Sequence, residues 1–600
     1  MAARARTPLS VVALAVITIV GQLVWSGAPA AVGAPGHVEH ARWHSTFVPA
    51  DQAVGNPEIQ PSPEIPGHQP LSKPLRHTAV AGVPDVTGTP VSGSQLPGFA
   101  GFNALSHRDQ RLAGTGVYTN TQFSLEPPDQ GLCVGAGRVV EAVNNGLRVF
   151  DTSGGAVTVP IALSQFFGLK PEVDRTNPNA PVYGDFISDP RCYFDPATQR
   201  WFLTELQIDL DPVTGDFGKH SALVIAVSKT SDPAAAWNIF LLDTTNDGTN
   251  GTPSHAGCPC FGDQPLIGAD ANGFYTTTNE YPITTAGYDG AQVYAFSKTG
   301  LETGANTAAV HIDAGPMLLS FGGLAYTVQP ATTPAAHDET ANNGTEYFLS
   351  GLDFGVAPAR GTRETRLAVW ALTNTASLNG ATPAVTLTNV VINTELYAQP
   401  PNATQKKGPT PLADAVHEPL ELLSANEDRL QQVVFAAGRL WAAQETAVKL
   451  PNGATMVGAA YFVITPSIPR GTLSASVARQ GYFAVDGANV LFPAIGVTDA
   501  GKGAIVFTLV GPDMFPSAAY VPVDLASGTG AVRIAAAGAL PDDGFSGYRS
   551  YGFEGVGRWG DYSAAVADTS GRIWMATEYI PNAPRTELAN WGTFIARVTP

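Results

Sequence analysis

SDPRCYFDPATQRWFLTELQ (188–207) decides the fold, because the chain says it four times in different words. Its counterparts are GDQPLIGADANGFYTTTNEY (262–281), EDRLQQVVFAAGRLWAAQET (427–446) and GDYSAAVADTSGRIWMATEY (560–579). Each begins near an Asp, runs through a short apolar stretch, turns at Gly or Pro-Ala-Thr, and continues into an aromatic-led stretch. A Glu follows the Asp by sixteen or seventeen residues: Asp189/Glu205, Asp263/Glu280, Asp428/Glu445 and Asp561/Glu578. A fifth copy, PPDQGLCVGAGRVVEAVNNG, carries Asp129 and ends on Asn144 and Asn145 instead of Glu. A strand that leaves the Asp, turns and returns to the same edge explains the spacing. Hairpins repeated in this way predict an all-β chain folded as a single closed β-propeller of four-stranded blades. The four Asp and four Glu are then expected on one face, around the mouth of the central channel.

Repeat starts fall near 129, 188, 262, 427, 479 and 560. The gap between 301 and 425 has room for one further blade, and EYFLSGLDFGV (346–356) and RLAVWALTNT (366–375) read as strands within it. Seven blades is the simplest count; six would make 346–375 an insertion. QGYFAVDGANVLFPAIGVTD (480–499) reads as a hairpin that lacks both carboxylates. Outer strands show as half-buried alternation in 221–243, 290–301 and 458–467. A strand from about 115–125 is expected to close the ring against the last repeat, which ends in ANWGTFIARVTP (589–600). Closure removes sheet edges that would otherwise invite aggregation.

The N-terminus reads as an address. MAARAR is basic, Val11–Val20 is apolar, and Ala28-Pro29-Ala30 is a small-residue cleavage site. Residues 1–30 are therefore expected to be a secretory signal peptide, too short in its apolar run to span a bilayer comfortably. Residues 31–100, rich in Pro, Gly, Ser and His, read as a flexible linker, and 101–600 as the propeller. The expected protein is secreted, extracellular and monomeric. A net charge of −18, from 33 Lys and Arg against 51 Asp and Glu, argues against nucleic acid and anionic membrane surfaces as partners. Nothing after the leader is apolar enough for a membrane helix.

Four cysteines in an exported chain read first as disulfides. Cys133 and Cys192 lie early in the inner strands of neighbouring repeats and are predicted to pair, leaving Cys258 with Cys260. The cross-pairings stay open on spacing alone. His255-Ala-Gly-Cys258-Pro-Cys260 also offers three soft metal ligands, with no fourth in view. Asp243-Thr-Thr245-Asn-Asp247-Gly248-Thr-Asn250 resembles a calcium loop, with Asp243 and Asp247 as ligands. Ser254 stands where the bidentate Glu belongs, and a hydrogen-bonded polar turn is the competing reading.

Several strings carry a family resemblance: NALSHRDQRLAGTG (103–116), YFDPATQRWF (193–202), AVSKTSDPAAAWNIF (226–240), GADANGFYTTTNEYP (268–282), RLAVWALTNTASL (366–378) and GRWGDYSAAV (557–566). Over roughly residues 100–600 the chain resembles a family of secreted bacterial proteins of unassigned activity, similar in layout to sialidase-like propellers. The resemblance implies the fold and no catalytic residue. Sialidases hold a sugar carboxylate with three arginines, and here Arg191, Arg429 and Arg558 lie within three residues of Asp189, Asp428 and Asp561. Their order about the Asp differs, no Phe-Arg-Ile-Pro string occurs, and AVADTSGRIWM (565–575) matches the Asp box only loosely.

Like charges opposed on paired strands destabilise each other, so arginine, water or a cation must offset the clustered carboxylates. The first reading is a secreted binding module that recognises an extracellular glycan or protein on an acidic face. Asp189, Glu205, Asp263, Glu280, Asp428, Glu445, Asp561 and Glu578 are its candidate ligand-binding residues. The alternative is a carbohydrate-active enzyme, glycoside hydrolase or lyase, using one carboxylate pair at ~5–9 Å. Repetition counts against catalysis, which needs one asymmetric pair. The sequence holds no His-Glu-x-x-His, Gly-x-Ser-x-Gly or complete phosphate loop, and leaves open whether there is any activity. Calcium is the one cofactor suggested, through Asp243 and Asp247.

Overall fold

The computed structural model describes residues 36–49, 81–177, 179–334, 338–353 and 363–600. The expected signal peptide lies outside them. Strands follow one another as four-stranded antiparallel meanders. Gly131–Gly135, Arg138–Val143, Gly146–Asp151 and Ile161–Ala162 form one. Asp185–Asp195, Arg200–Leu210, Phe217–Ser228 and Trp237–Asp243 form the next. Then come Cys260–Ala269, Gly273–Pro282, Gly290–Ser297 and Thr307–Asp313. The 301–425 gap supplies Gln329–Thr332, Thr345–Ser350, Arg363–Thr373 and Thr386–Ala398. Leu430–Ala436, Arg439–Lys449, Thr455–Ser467 and Ser474–Phe483 follow, and after them Asn489–Val497, Lys502–Gly511, Met514–Asp524 and Arg533–Ala536. Ala564–Ala567, Ile573–Tyr579 and Gly592–Val598 complete the series, and their fourth strand is Ala100–Ser106 from the other end of the chain.

The first strands of successive meanders pack side by side, and Ala564–Ala567 packs back against Gly131–Gly135. That is the layout of a β-propeller, with each meander a blade. Both faces of a blade meet a neighbouring sheet, so the strands read as near-continuous apolar runs; Asn489–Val497 is buried throughout. The core is divided among the blade interfaces. Trp201, Phe166 and Trp237 fill one of them with Val140 and Val149. Phe483, Phe507 and Trp441 fill another. Burying a large apolar side chain of this kind contributes about 1.5–3 kcal/mol.

Three expectations change. The ring closes through Ala100–Ser106, not 115–125. AGFNALS alternates as an outer strand must, whereas Gly114 and Gly116 take φ of 100° and 61° and turn the chain away. A Cβ on Gly114 would sit 2.4 Å from the Tyr118 carbonyl oxygen. Second, 480–499 is not a hairpin within a blade. It joins the outermost strand of one blade to the innermost strand of the next, which is why the carboxylates are missing. Third, two pieces of the expected linker belong to the body. His37–Phe47 pairs with both Trp237–Asp243 and Thr307–Asp313, tying two blades into one nine-stranded sheet. Residues 81–99 strap later blades through Val86 N–H to Lys449 O (2.8 Å), Thr89 N–H to Ala484 O (2.6 Å) and Ser92 N–H to Val532 O (2.8 Å).

Cys133–Cys192 and Cys258–Cys260 are disulfides, with Cα separations of 5.3 and 4.4 Å. No helix among the described residues is long and apolar enough to cross a membrane.

Candidate functional site at the axial mouth

Within or just before each innermost strand one residue takes a left-handed conformation: Asp129 (φ 48°), Asp189 (65°), Gln264 (53°), Thr327 (45°), Asn426 (53°), Phe492 (53°) and Gly560 (66°). The ladder register shifts beside several of them, as at Thr204/Leu206 and Asp263/Leu266. Such a bulge frees a backbone N–H from the ladder and re-aims the side chain. A residue at the end of the preceding blade's second strand accepts the freed N–H. Asn144 Oδ1 takes it from Asp189 (3.0 Å), Asn279 Oδ1 from Thr327 (2.8 Å), and Glu445 Oε1 from Phe492 (2.8 Å). In these three blades a polar residue of the second strand is thus a clasp to the next blade.

The re-aimed side chains meet at the axis. Asp129, Asp189 and Asp561 bring carboxylate oxygens within 4.8 Å of one another. Asn144 Nδ2 donates to Asp129 Oδ2 at 3.0 Å, and the Asp561 N–H donates to Asp129 Oδ1. Arg558 Nη2 binds Asp561 Oδ2 at 2.7 Å, and Asn426 Nδ2 donates to Asp561 Oδ1 at 2.8 Å. The Arg191 guanidinium lies 3.3 Å from the Tyr562 ring centroid, a cation–π contact at the mouth. Arg429 donates to Gln264 Oε1 at 2.5 Å, pairs with Glu427 and faces the Tyr326 ring at 5.1 Å.

Burial pushes the Asp189 carboxyl up to about 6; Asp561 adds to this and Arg558 opposes it. Burial also raises Asp129, helped by Asp561 and Asp189. Asp263 is pushed well up by burial and Asp189, against Arg429. Burial works against the Arg558 charge, but Asp561, Asp129 and Asp189 outweigh it and raise its proton affinity. A small cavity of about 80 Å³, partly open to solvent, lies between the innermost strands, with Gln130, Arg191, Gln329 and Gln432 among its lining residues.

The eight residues singled out from the repeats separate. Asp189, Asp263 and Asp561 come together at the axis. Asp428 hydrogen-bonds Asp353 instead. Glu445 serves as a clasp, and Glu205, fully buried, feels Glu172 and Asp189 but has no hydrogen-bond partner among the described residues. Glu578 lies near Asp542, Glu126 and Asp129. Glu280 is the clear departure. Its neighbour Asn279 holds the clasp position, so the pleat turns Glu280 to the other face, where it binds His255 Nδ1 at 2.7 Å. Asp129, Tyr326 and Tyr562 join the site without having been singled out; Asp129 was visible as the Asp of the fifth copy. In the calcium-like loop, Asp243 accepts from Thr245 N–H (2.9 Å) and Asn250 Nδ2 (2.8 Å), while Asp247 accepts from Thr249 N–H (2.9 Å). Asn250 thus ties the second turn back to the first.

No family model matches this sequence, and no curated protein does. Among solved structures, the chain is similar to an apocarotenoid oxygenase of Synechocystis at 11% identity and TM-score 0.31, covering 71% of this chain and 76% of that one. A Trypanosoma rangeli sialidase in complex with sialic acid follows at 9% identity and TM-score 0.27, over 67% and 52%. An α-L-arabinanase of Penicillium chrysogenum complexed with arabinobiose matches at 11% identity and TM-score 0.24, over 68% and 92%. Likeness this low carries no inference about activity.

Proposed function

We propose that the chain is an exported, seven-bladed propeller that binds an extracellular glycan at its axial mouth. The observation that carries this reading is the meeting of Asp129, Asp189, Asp263 and Asp561 with Arg191, Arg429 and Arg558, drawn from separate blades. The side chains of Arg558 and Asp561 are 20% and 21% exposed, so the cluster is open to a ligand. Nearly balanced charge suits a neutral ligand better than an ion. Sugar hydroxyls donate to carboxylates and accept from guanidinium groups, and tyrosine rings such as Tyr326 offer apolar faces beside them. The even Cys count in disulfides and the basic–apolar leader support export. A glycan array followed by calorimetry tests the reading. Arg558→Gln and Asp561→Asn are each expected to weaken the best ligand by about tenfold or more, as loss of a charged hydrogen bond does. Unchanged affinity in both variants, or an array without a ligand, sinks the proposal.

One observation favours a second reading, a glycoside hydrolase. Asp189 and Asp561 approach within the range of a retaining carboxylate pair, about 5 Å, and Asp189 is poised to hold a proton near pH 6. New reducing ends from a bound glycan, abolished by Asp189→Asn, would favour the enzyme; binding without turnover favours the module.

A further inference from the structure

On the flank of the blade that starts at Cys260, two cysteines and two carboxylates face one another. Glu280 ends the second strand of that blade, and the Asp289 N–H donates to the Glu280 carbonyl (2.9 Å), which folds the two acidic residues onto one edge. The preceding loop delivers Cys258 and Cys260. One ligating atom from each residue, two Sγ and two carboxylate oxygens, lies within 4.8 Å of the others. Cys260 Sγ is 3.7 Å from Asp289 Oδ2. The loop is held by its backbone as well as by its sulfurs: Cys260 N–H donates to Thr245 O (2.8 Å), and Ile283 N–H to Pro259 O (2.9 Å). His255 Nδ1, 2.7 Å from Glu280 Oε1, backs one of the carboxylates from outside the cluster.

We propose that reduction of the Cys258–Cys260 disulfide opens a binding site for one zinc-class divalent cation, ligated by Cys258, Cys260, Glu280 and Asp289. The sequence offers three soft ligands with no fourth; the fold supplies two oxygen ligands from a strand end and the turn after it. A tetrahedral zinc ion, with bonds of about 2.3 Å to sulfur and 2.0–2.2 Å to oxygen, needs its ligands about 3.3–3.8 Å apart, so the widest separations, up to 4.8 Å, close by about 1 Å while the two sulfurs, released from their bond, move apart. Two thiolates select zinc or cobalt over calcium and magnesium. His255 occupies the position from which an outer-shell histidine orients a carboxylate ligand. The step balances with a dithiol as reductant. The dithiol gives two electrons and two protons to the S–S bond and becomes a disulfide; the two new thiols then lose those protons to solvent as the cation binds.

The test uses the intact protein, a phosphine reductant that competes weakly for metal, and Co²⁺ followed by Zn²⁺. The phosphine takes one oxygen from water and leaves two thiols. Reduced protein is expected to bind one Co²⁺ with a thiolate charge-transfer band, and Zn²⁺ to displace it; oxidised protein is expected to give neither signal. Cys258→Ser should abolish the band, and Asp289→Asn should lower affinity at least ~10-fold, since even outer-shell losses cost that much. Zinc should also shield Cys258 and Cys260 of the unaltered chain from alkylation, which needs no variant to fold. No band after reduction, equal binding by oxidised protein, a band that survives Cys258→Ser, or unshielded thiols would each overturn the site.

Discussion

Two groups of buried carboxylates sit three residues apart in the chain, at Asp129 and at Glu126, and they are solved in opposite ways. At the axial mouth, Asp129, Asp189 and Asp561 are faced by Arg558, with Arg191 and Arg429 beside them. On the flank, Glu126, Glu421 and Asp542 lie against bare backbone. The Glu126 carboxylate accepts the Ser546 N–H at 2.9 Å, and the nearby Arg585 commits itself to Asp543 at 2.6 Å. A Cβ on Gly544 would fall 1.9 Å from Glu126 Oε1, and one on Gly547 would fall 1.4 Å from Glu421 Oε2. Burial, then Asp542, drives both Glu126 and Glu421 well up, and Asp542 rises to about 6. Burial raises both groups, but Arg558 opposes the rise at Asp129 and Asp189, whereas Glu421 faces only other carboxylates, Asp542, Glu126 and Asp543. The first group is also partly open to solvent at Arg558 and Asp561, and the second is closed.

The largest break in this comparison comes from Gly547→Ala. The methyl group must displace the Glu421 carboxylate in a closed site, which is expected to cost ~3 kcal/mol and lower the melting temperature clearly in calorimetry.

A pH series sharpens it next. An acid whose folded pKa is raised holds its proton longer in the folded state, so its contribution is full at low pH and is lost as pH rises through the folded value. For Asp542 that window runs from near 4 to about 6, and for Glu126 and Glu421 it continues upward. Stability should therefore fall between pH 5 and 8, and Glu421→Gln should flatten the slope and recover roughly 1–3 kcal/mol at the alkaline end. A slope unchanged in Glu421→Gln would remove the flank cluster from the explanation.

Smaller effects separate clasp from ligand. Glu445→Ala leaves the Phe492 N–H without an acceptor and should cost about 1–2 kcal/mol in denaturant titration, with glycan binding unaltered. Arg558→Gln should move the Asp189 titration midpoint, followed by NMR, upward by roughly one pH unit while leaving the flank slope intact. A midpoint that stays near 6 would show that Arg558 does not govern the mouth.

The position of each innermost strand was legible wherever an Asp preceded an apolar run, as at 189, 263 and 561. Arg191, Arg429 and Arg558 were visible by their proximity to Asp189, Asp428 and Asp561. Glu280 misled because one residue of register decides which face a strand side chain takes, and the bulge at Gln264 sets that register. Asp428 looked equivalent to its counterparts, yet Asp353, from a neighbouring blade, draws it away.

By itself the sequence determined what repeats: a hairpin period, an acidic residue at its edge, and cysteines early in adjacent strands. These are local, since strand alternation and turn chemistry act over a few residues. Only the tertiary structure decided how the copies meet. Ala100–Ser106 closes the ring across nearly five hundred residues of chain from Gly592–Val598. His37–Phe47 bridges two blades, and Asp289 arrives beside Cys260. Three-dimensional packing set those contacts, because buried N–H groups, sheet edges and charges must all find partners, and the partner can lie anywhere along the chain.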